Sequence, residues 1–248
     1  ENKMNLLSFG EIIWDSYGDS YTIGGAPLNL AAHYAIQGGD AWLASAVGND
    51  VLGTRATEHI KALGLKTDYV SVLDGLQTGE CVVTLDEKSV PKYNILENVA
   101  YDQISLPVTL NQTFDVIAFG TLALRSKQNV EALECILRNN TFGEIYTDLN
   151  IRPPFYSKES IEFCLANATI VKISDEELPL VTLQQFGKNV ACADAYDLIA
   201  QNYPKIKLIL ITQGEMGSTC YDCQNKKIYT CKAEPVTAVS TVGVGDSY

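Results

Sequence analysis

Histidine is close to absent from this chain: His33 and His59 are the two in 248 residues. The seven cysteines therefore have little help in building a metal cluster. Cys220, Cys223 and Cys231 are near neighbours in sequence, but a zinc site made from them lacks an obvious fourth ligand. Two strands of a hairpin account for them more simply. Cys81, Cys135, Cys164 and Cys192 lie singly in apolar contexts, the pattern expected in a reducing cytoplasm. Positive charge is also scarce. Lys and Arg total 18 against 30 Asp and Glu, a formal charge of −12, and the basic residues do not cluster. That balance argues against a nucleic-acid surface and disfavours a pocket for a highly anionic substrate. No apolar run approaches the roughly 20 residues of a membrane span. No internal repeat or low-complexity linker interrupts the chain, and residues 1–5 lead straight into an apolar run with no signal-peptide pattern.

What remains is an ordinary globular composition, 46% hydrophobic and 19% charged, which fits one large α/β domain over 1–248. Leu6–Ile13 is a short apolar run expected to form a buried strand. Residues 16–23, rich in Gly, Ser and Tyr, make a short excursion. Pro27–Gln37 carries helix signals, with Pro in the first turn and Gly38-Gly39 to stop it. A strand at Ala41–Val47 and a helix at Gly53–Ala62 follow. Tyr69–Leu73, Gly79–Leu85 and Lys92–Ile95 are strands without helices between them, so a small antiparallel sheet is expected over 68–98, joined by residues 14–23. Alternation then resumes. Strands are expected at 115–120, 144–149, 168–174 and 207–212, with helices near 127–138, 157–166, 175–184 and 189–202. That rhythm predicts a mostly parallel sheet with helices on both faces, and ligands beyond the carboxyl ends of its strands.

Two glycine-bearing stretches stand out. In Gly243-Val244-Gly245-Asp246 the glycines let backbone N–H groups curl around an anion. Asp246 beside them is placed to take a proton from a group attacking that anion's phosphorus; by itself the tetrapeptide is also an ordinary turn. The second is Gly24-Gly25-Ala26-Pro27-Leu28-Asn29, followed by Val47-Gly48-Asn49-Asp50 and Gly53. Together, and in this order, the stretches resemble the signatures of the PfkB (ribokinase-like) family of sugar and nucleoside kinases. The likeness runs from Gly10 to Tyr248.

The resemblance implies a ribokinase-like fold with the small β sheet as a lid over the sugar. It implies ATP and Mg²⁺ as cofactors, a neutral sugar as acceptor, and a chain that continues past Tyr248 to complete an adenine pocket. Asp246 becomes the general base and Gly243, Val244 and Gly245 the anion hole. Asp15, Gly24, Gly25 and Asn29 become sugar-pocket residues. Thr212, Gly214 and Gly217 would line the nucleotide trough, with Ser174 beside them and Glu177 toward the metal's water shell. Arg152, in Asp148-Leu149-Asn150-Ile151-Arg152, would meet nucleotide phosphates or the sugar. Ser240 stands where the family has Asp, which weakens the case for a K⁺ site. The residues alone leave alternatives: a solvated strand end for Asp15, a polar helix position for Asn29, a turn for Asp50, a surface ion pair for Arg152, and a capping box for Ser174 and Glu177.

Gly-Gly-Ala-Pro-x-Asn and the Asp148–Arg152 segment resemble fructokinases most, so D-fructose to fructose 6-phosphate is the first expectation. Ribose, 2-keto-3-deoxygluconate and nucleosides follow, and a catalytically idle sugar- or partner-binding protein is the alternative from another class. A homodimer through the lid is left open.

Overall fold

The first apolar run does not form one strand. Gly10 has φ +147°, a conformation that glycine adopts without strain, and the chain leaves the main sheet there. In the computed structural model, which describes residues 3–85, 91–190, 192–234 and 245–246, β1 (Asn5–Phe9) belongs to one sheet. β2 (Ile13–Tyr17), only a few residues on, belongs to another, where it forms a hairpin with β3 (Ser20–Gly24). The following elements are α1 (Ala26–Ile36), β4 (Asp40–Gly48), α2 (Val51–Ala62), β5 (Lys66–Leu73), β6 (Gly79–Leu85) and β7 (Pro91–Ile95). Then come β8 (Phe114–Phe119), α3 (Lys127–Asn139), β9 (Phe142–Asp148), α4 (Lys158–Asn167), β10 (Ile170–Ser174), α5 (Leu178–Phe186) and α6 (Cys192–Asn202). The last described elements are β11 (Leu208–Thr212), β12 (Ser218–Asp222) and β13 (Lys227–Cys231).

Among the described residues the main sheet has nine strands in the order β13-β12-β11-β10-β9-β8-β1-β4-β5. From β5 to β11 every pairing is parallel, and β12 and β13 close the edge as an antiparallel hairpin. Both faces are covered. On β1, Leu6 packs into one apolar cluster with α1 and α2, while Leu7 and Phe9 pack into the other with α3 to α6. On β4, Ala41 and Leu43 face the first cluster, Trp42 and Ala44 the second. This is the period-2 alternation of a strand buried on both sides. Strand order reverses between β1 and β8, and a crevice opens at such a point beyond the carboxyl ends.

The small sheet has the order β3-β2-β6-β7. β2/β3 and β6/β7 pair antiparallel, but β2 and β6 lie parallel, because a long excursion rather than a turn connects them. Tyr69–Leu73, expected in this sheet, is instead part of β5 at the edge of the main sheet, parallel to β4. The reason is the preceding helix: β4-α2-β5 is a crossover unit, which returns the chain to the same sheet. The helix expected at 175–184 begins three residues later, because Ser174–Glu177 forms a turn before Leu178-Pro179 opens α5.

The Gly48–Gly53 stretch is a packing knot between the sheets. A Cβ on Gly53 would sit on the Gly48 carbonyl, and one on Gly48 would meet the Leu76 carbonyl. Asp50 caps α2 by accepting from Gly53 N at 2.7 Å. It also accepts from Thr78 N at 2.8 Å and Thr78 Oγ1 at 2.7 Å, which ties the start of β6 to the helix. Among the described residues, no helix is long and apolar enough to cross a membrane.

Candidate active site

Gly24 ends β3 and Gly25 precedes α1. Gly25 has φ +116°, and a Cβ there would overlap the Glu11 carbonyl, so only glycine fits on both counts. Pro27 lies in the first turn of α1, where its missing N–H costs no helical hydrogen bond. This turn brings Asn29 to face the crevice. Its Nδ2 donates to Asp246 Oδ2 at 2.8 Å, joining two stretches separated by most of the chain.

Both residues line a cleft of about 950 Å³, within the range of small-molecule sites, roughly 300–1,000 Å³. Asp15, Gly24, Gly25 and Arg152 line the same cleft, with Gly245 beside Asp246. Asp15 lies opposite Cys81 across the β2/β6 pairing. Burial raises the Asp15 carboxyl above its ordinary value, while a hydrogen bond from the Cys81 thiol and the charge of Arg152 pull it back. Burial and the neighbouring Asp15 push the thiol itself up to about 11, so Cys81 is a donor here and not a nucleophile.

The other end of the cleft is lined by Ser174, Glu177 and Thr212, which close β10, open the α5 turn and end β11. Ser174 and Glu177 form a reciprocal cap: Glu177 N donates to Ser174 Oγ at 3.2 Å, and Ser174 N to Glu177 Oε2 at 2.8 Å. Ile151 N donates to Glu177 Oε1, so this carboxylate also anchors the segment carrying Arg152. Each oxygen keeps a further lone pair for another donor. Gly214 and Gly217 lie in the β11–β12 turn, outside the residues lining the cleft. Gly217 has φ +99° and no room for a Cβ beside the Cys231 carbonyl, a local reason for glycine. Gly243, Val244 and Ser240 fall outside the described residues.

Three charged residues add to the cleft wall: Asp148, which the sequence placed at a strand's carboxyl end, and Lys172 and Glu11, to which it gave no role. Lys172 on β10 and Asp148 at the end of β9 form a buried ion pair, Nζ to Oδ2 2.7 Å, on the cleft wall. Burial nevertheless pushes Asp148 up to about 6, against the pull of Lys172 and with the help of Glu177 and Asp246. Glu11 is the third, 4% exposed and also lining the cleft. Its position straight after Gly10, where the first strand breaks, was a signal available in the sequence.

Residues 6–248 match the profile described as pfkB family carbohydrate kinase. The chain belongs to that family. Among similar pfkB relatives, Fructokinase-2 of Solanum habrochaites is 26% identical over 269 aligned positions, covering 98% of this chain and 79% of the relative. Fructokinase of Klebsiella pneumoniae is 27% identical over 236, covering 91% and 74%. Among solved structures, fructokinase from Vibrio cholerae with fructose, ADP and calcium superposes with a TM-score of 0.81 at 20% identity, over 98% of this chain and 80% of that one. Aminoimidazole riboside kinase from Salmonella enterica, solved with its riboside and an ATP analogue, gives 0.80 at 20%, over 98% and 81%. At these identities the structural likeness establishes the ribokinase-like fold, which two kinases of different substrates share.

Proposed function

We propose that this pfkB-family sugar kinase transfers the terminal phosphoryl group of ATP to the primary hydroxyl of a neutral sugar, D-fructose first. The observation that carries the reading is the Asn29–Asp246 hydrogen bond inside the cleft. A carboxylate there, oriented by an amide, is a suitable general base. It accepts the hydroxyl proton as the sugar oxygen forms its bond to phosphorus and the bond to the ADP oxygen breaks. Asp15 and Asn29 accept from and donate to vicinal hydroxyls. Gly245, with Gly243 and Val244, would offer backbone N–H groups to the transferring phosphoryl.

The charge lining the cleft bears on the cofactor. Glu11, Asp15, Asp148, Glu176, Glu177 and Asp246 face Arg152 and Lys172, so an uncompensated triphosphate would meet an excess of negative charge. Glu177, with a free lone pair on each oxygen, suits the water shell of Mg²⁺. When bound, that ion would neutralise phosphate charge. Ser174 and Thr212 would border the nucleotide. A phosphorylated sugar is a poor fit, because among the described residues lining the cleft Lys172 is already committed to Asp148 and Arg152 is the one Lys or Arg left. Relatives named fructokinase support fructose over ribose, 2-keto-3-deoxygluconate or a nucleoside. Two copies could pair through the small sheet, where Tyr17, Tyr21 and Tyr93 are exposed; gel filtration tests this part.

The deciding experiment incubates the protein with ATP, Mg²⁺ and a panel of neutral sugars and follows ADP release, with Asp246→Asn alongside. Turnover of fructose above the others, abolished in the variant, is expected. Sugar binding by calorimetry without turnover of any sugar would overturn the reading in favour of an idle binding protein.

A further inference from the structure

We propose that Glu11 is a positioning residue, holding the first turn of α1 in register with Asp246 from a buried place on the cleft wall. Three features of its surroundings carry this. First, its backbone carbonyl packs against Gly25, and its carboxyl lies near enough to the N–H of Ala26, the first residue of α1, to feel its pull. The helix has no side-chain cap of its own: its N-cap is Gly25, and its first turn contains no acidic residue. Three residues further along, Asn29 holds Asp246. Glu11 thus fixes the start of the helix whose next turn orients the base. Second, it is buried yet borders the cleft, so any charge it carries is poorly solvated and close to the reacting groups. Third, behind it lies a cavity of about 20 Å³ shared with Ser8, Tyr146 and Asp148, enough for one water. Asp148 Oδ1 is buried without a hydrogen-bond partner among the described residues.

The groups facing Glu11 come from several elements. Asp246 approaches from the C-terminal turn and Arg152 from the segment after β9. Tyr146 and Asp148 lie on β9, Tyr101 on the turn at Ala100–Gln103, and Asp15, Cys81 and Lys172 border the same cleft. Burial, aided by the Asp246 charge, pushes the Glu11 carboxyl up to about 7, against its own N–H, that of Ala26 and the charge of Arg152. Below that pH it is neutral. Above it, a second negative charge stands beside Asp246 where an anionic donor must arrive, and like charges in a poorly solvated site oppose both.

The inference rests on Asp246 as the base, and the test keeps the two apart. In the full chain, kcat/KM for the sugar is measured from about pH 5.5 to about pH 9 for wild type, Glu11→Gln and Glu11→Ala, with melting curves as a folding control. Wild type is expected to lose about tenfold between roughly pH 7 and pH 8.5. Glu11→Gln, permanently neutral and of the same shape, should lack that alkaline fall. Glu11→Ala should raise the sugar KM about tenfold at every pH, which Gln should not. A wild-type profile without this ionisation, or a Gln variant that keeps it, overturns the proposal. If the variants do not fold, carboxyl ¹³C NMR of the wild type decides. A signal assigned to Glu11 that titrates at about 7 supports it, and titration of that signal in the ordinary carboxylate range overturns it. Should Asp246→Asn stay active, the base reading fails while the NMR titration still reports on Glu11.

Discussion

Asp50 and Asp246 each belong to a glycine-bearing stretch, and the structure uses them in opposite ways. Asp50 spends its acceptors on its own chain, at Gly53 N, Thr78 N and Thr78 Oγ1. Burial opposes its ionisation, but these bonds outweigh it and hold the carboxyl below its ordinary range. Asp246 faces the cleft and, among the described residues, accepts a bond from Asn29. A carboxylate saturated by backbone and hydroxyl donors is fastening structure, whereas one with open lone pairs in a cleft can do chemistry. The glycines divide in the same way. Gly48 and Gly53 let backbones touch between the sheets, while Gly25 brings a helix start to a ligand cleft.

The largest expected effect on this contrast is Asp246→Asn. Turnover should fall about 100- to 10,000-fold, with an unfolding free energy from urea melts within about 0.5 kcal/mol of wild type. A stability loss as large as the activity loss would place Asp246 with Asp50 and break the distinction. Asp50→Ala should do the reverse: about 2–4 kcal/mol less stable from the lost cap and the Thr78 bonds, with kcat changed little. Its stabilising share has a pH sign. A carboxylate depressed in the fold stabilises above its unfolded pKa, and that contribution fades as pH falls through the folded value. The gap between wild type and Asp50→Ala should therefore narrow on acidification. The smallest effect is at Ser174→Ala, about 1 kcal/mol from the lost cap to Glu177 N. If Ser174 also borders the nucleotide, the KM for ATP should rise while that for the sugar does not, which would put it on both sides of the comparison.

Much of this was legible from local pattern. Alternating buried strands and helices predicted the parallel sheet, since a strand covered on both faces needs apolar residues on both. Pro27 and the glycines marked the start of α1, and the Gly24–Asn29 and Gly243–Asp246 signatures pointed at one site. The misreadings were of a different kind. Tyr69–Leu73 looked like its β neighbours in sequence, but the helix before it determined which sheet it joined. Leu6–Ile13 looked continuous because Gly10 is apolar enough to pass, although its backbone turns the chain out of the sheet. Glu11 and Lys172 were given no role because single charged residues near strand ends are commonplace, and nothing local says that they will be buried; the same holds for the burial of Asp148, whose place at a strand end was legible.

Composition, helix and strand periods and the order of the glycine signatures determined the fold class and the family, because these depend on near neighbours in the chain. Which carboxylate is tied down, which lines the cleft and which is buried beside other charges was decided only by the tertiary structure. Those properties follow from desolvation and from charges that folding brings together, as when Glu11 meets Asp246 and Arg152.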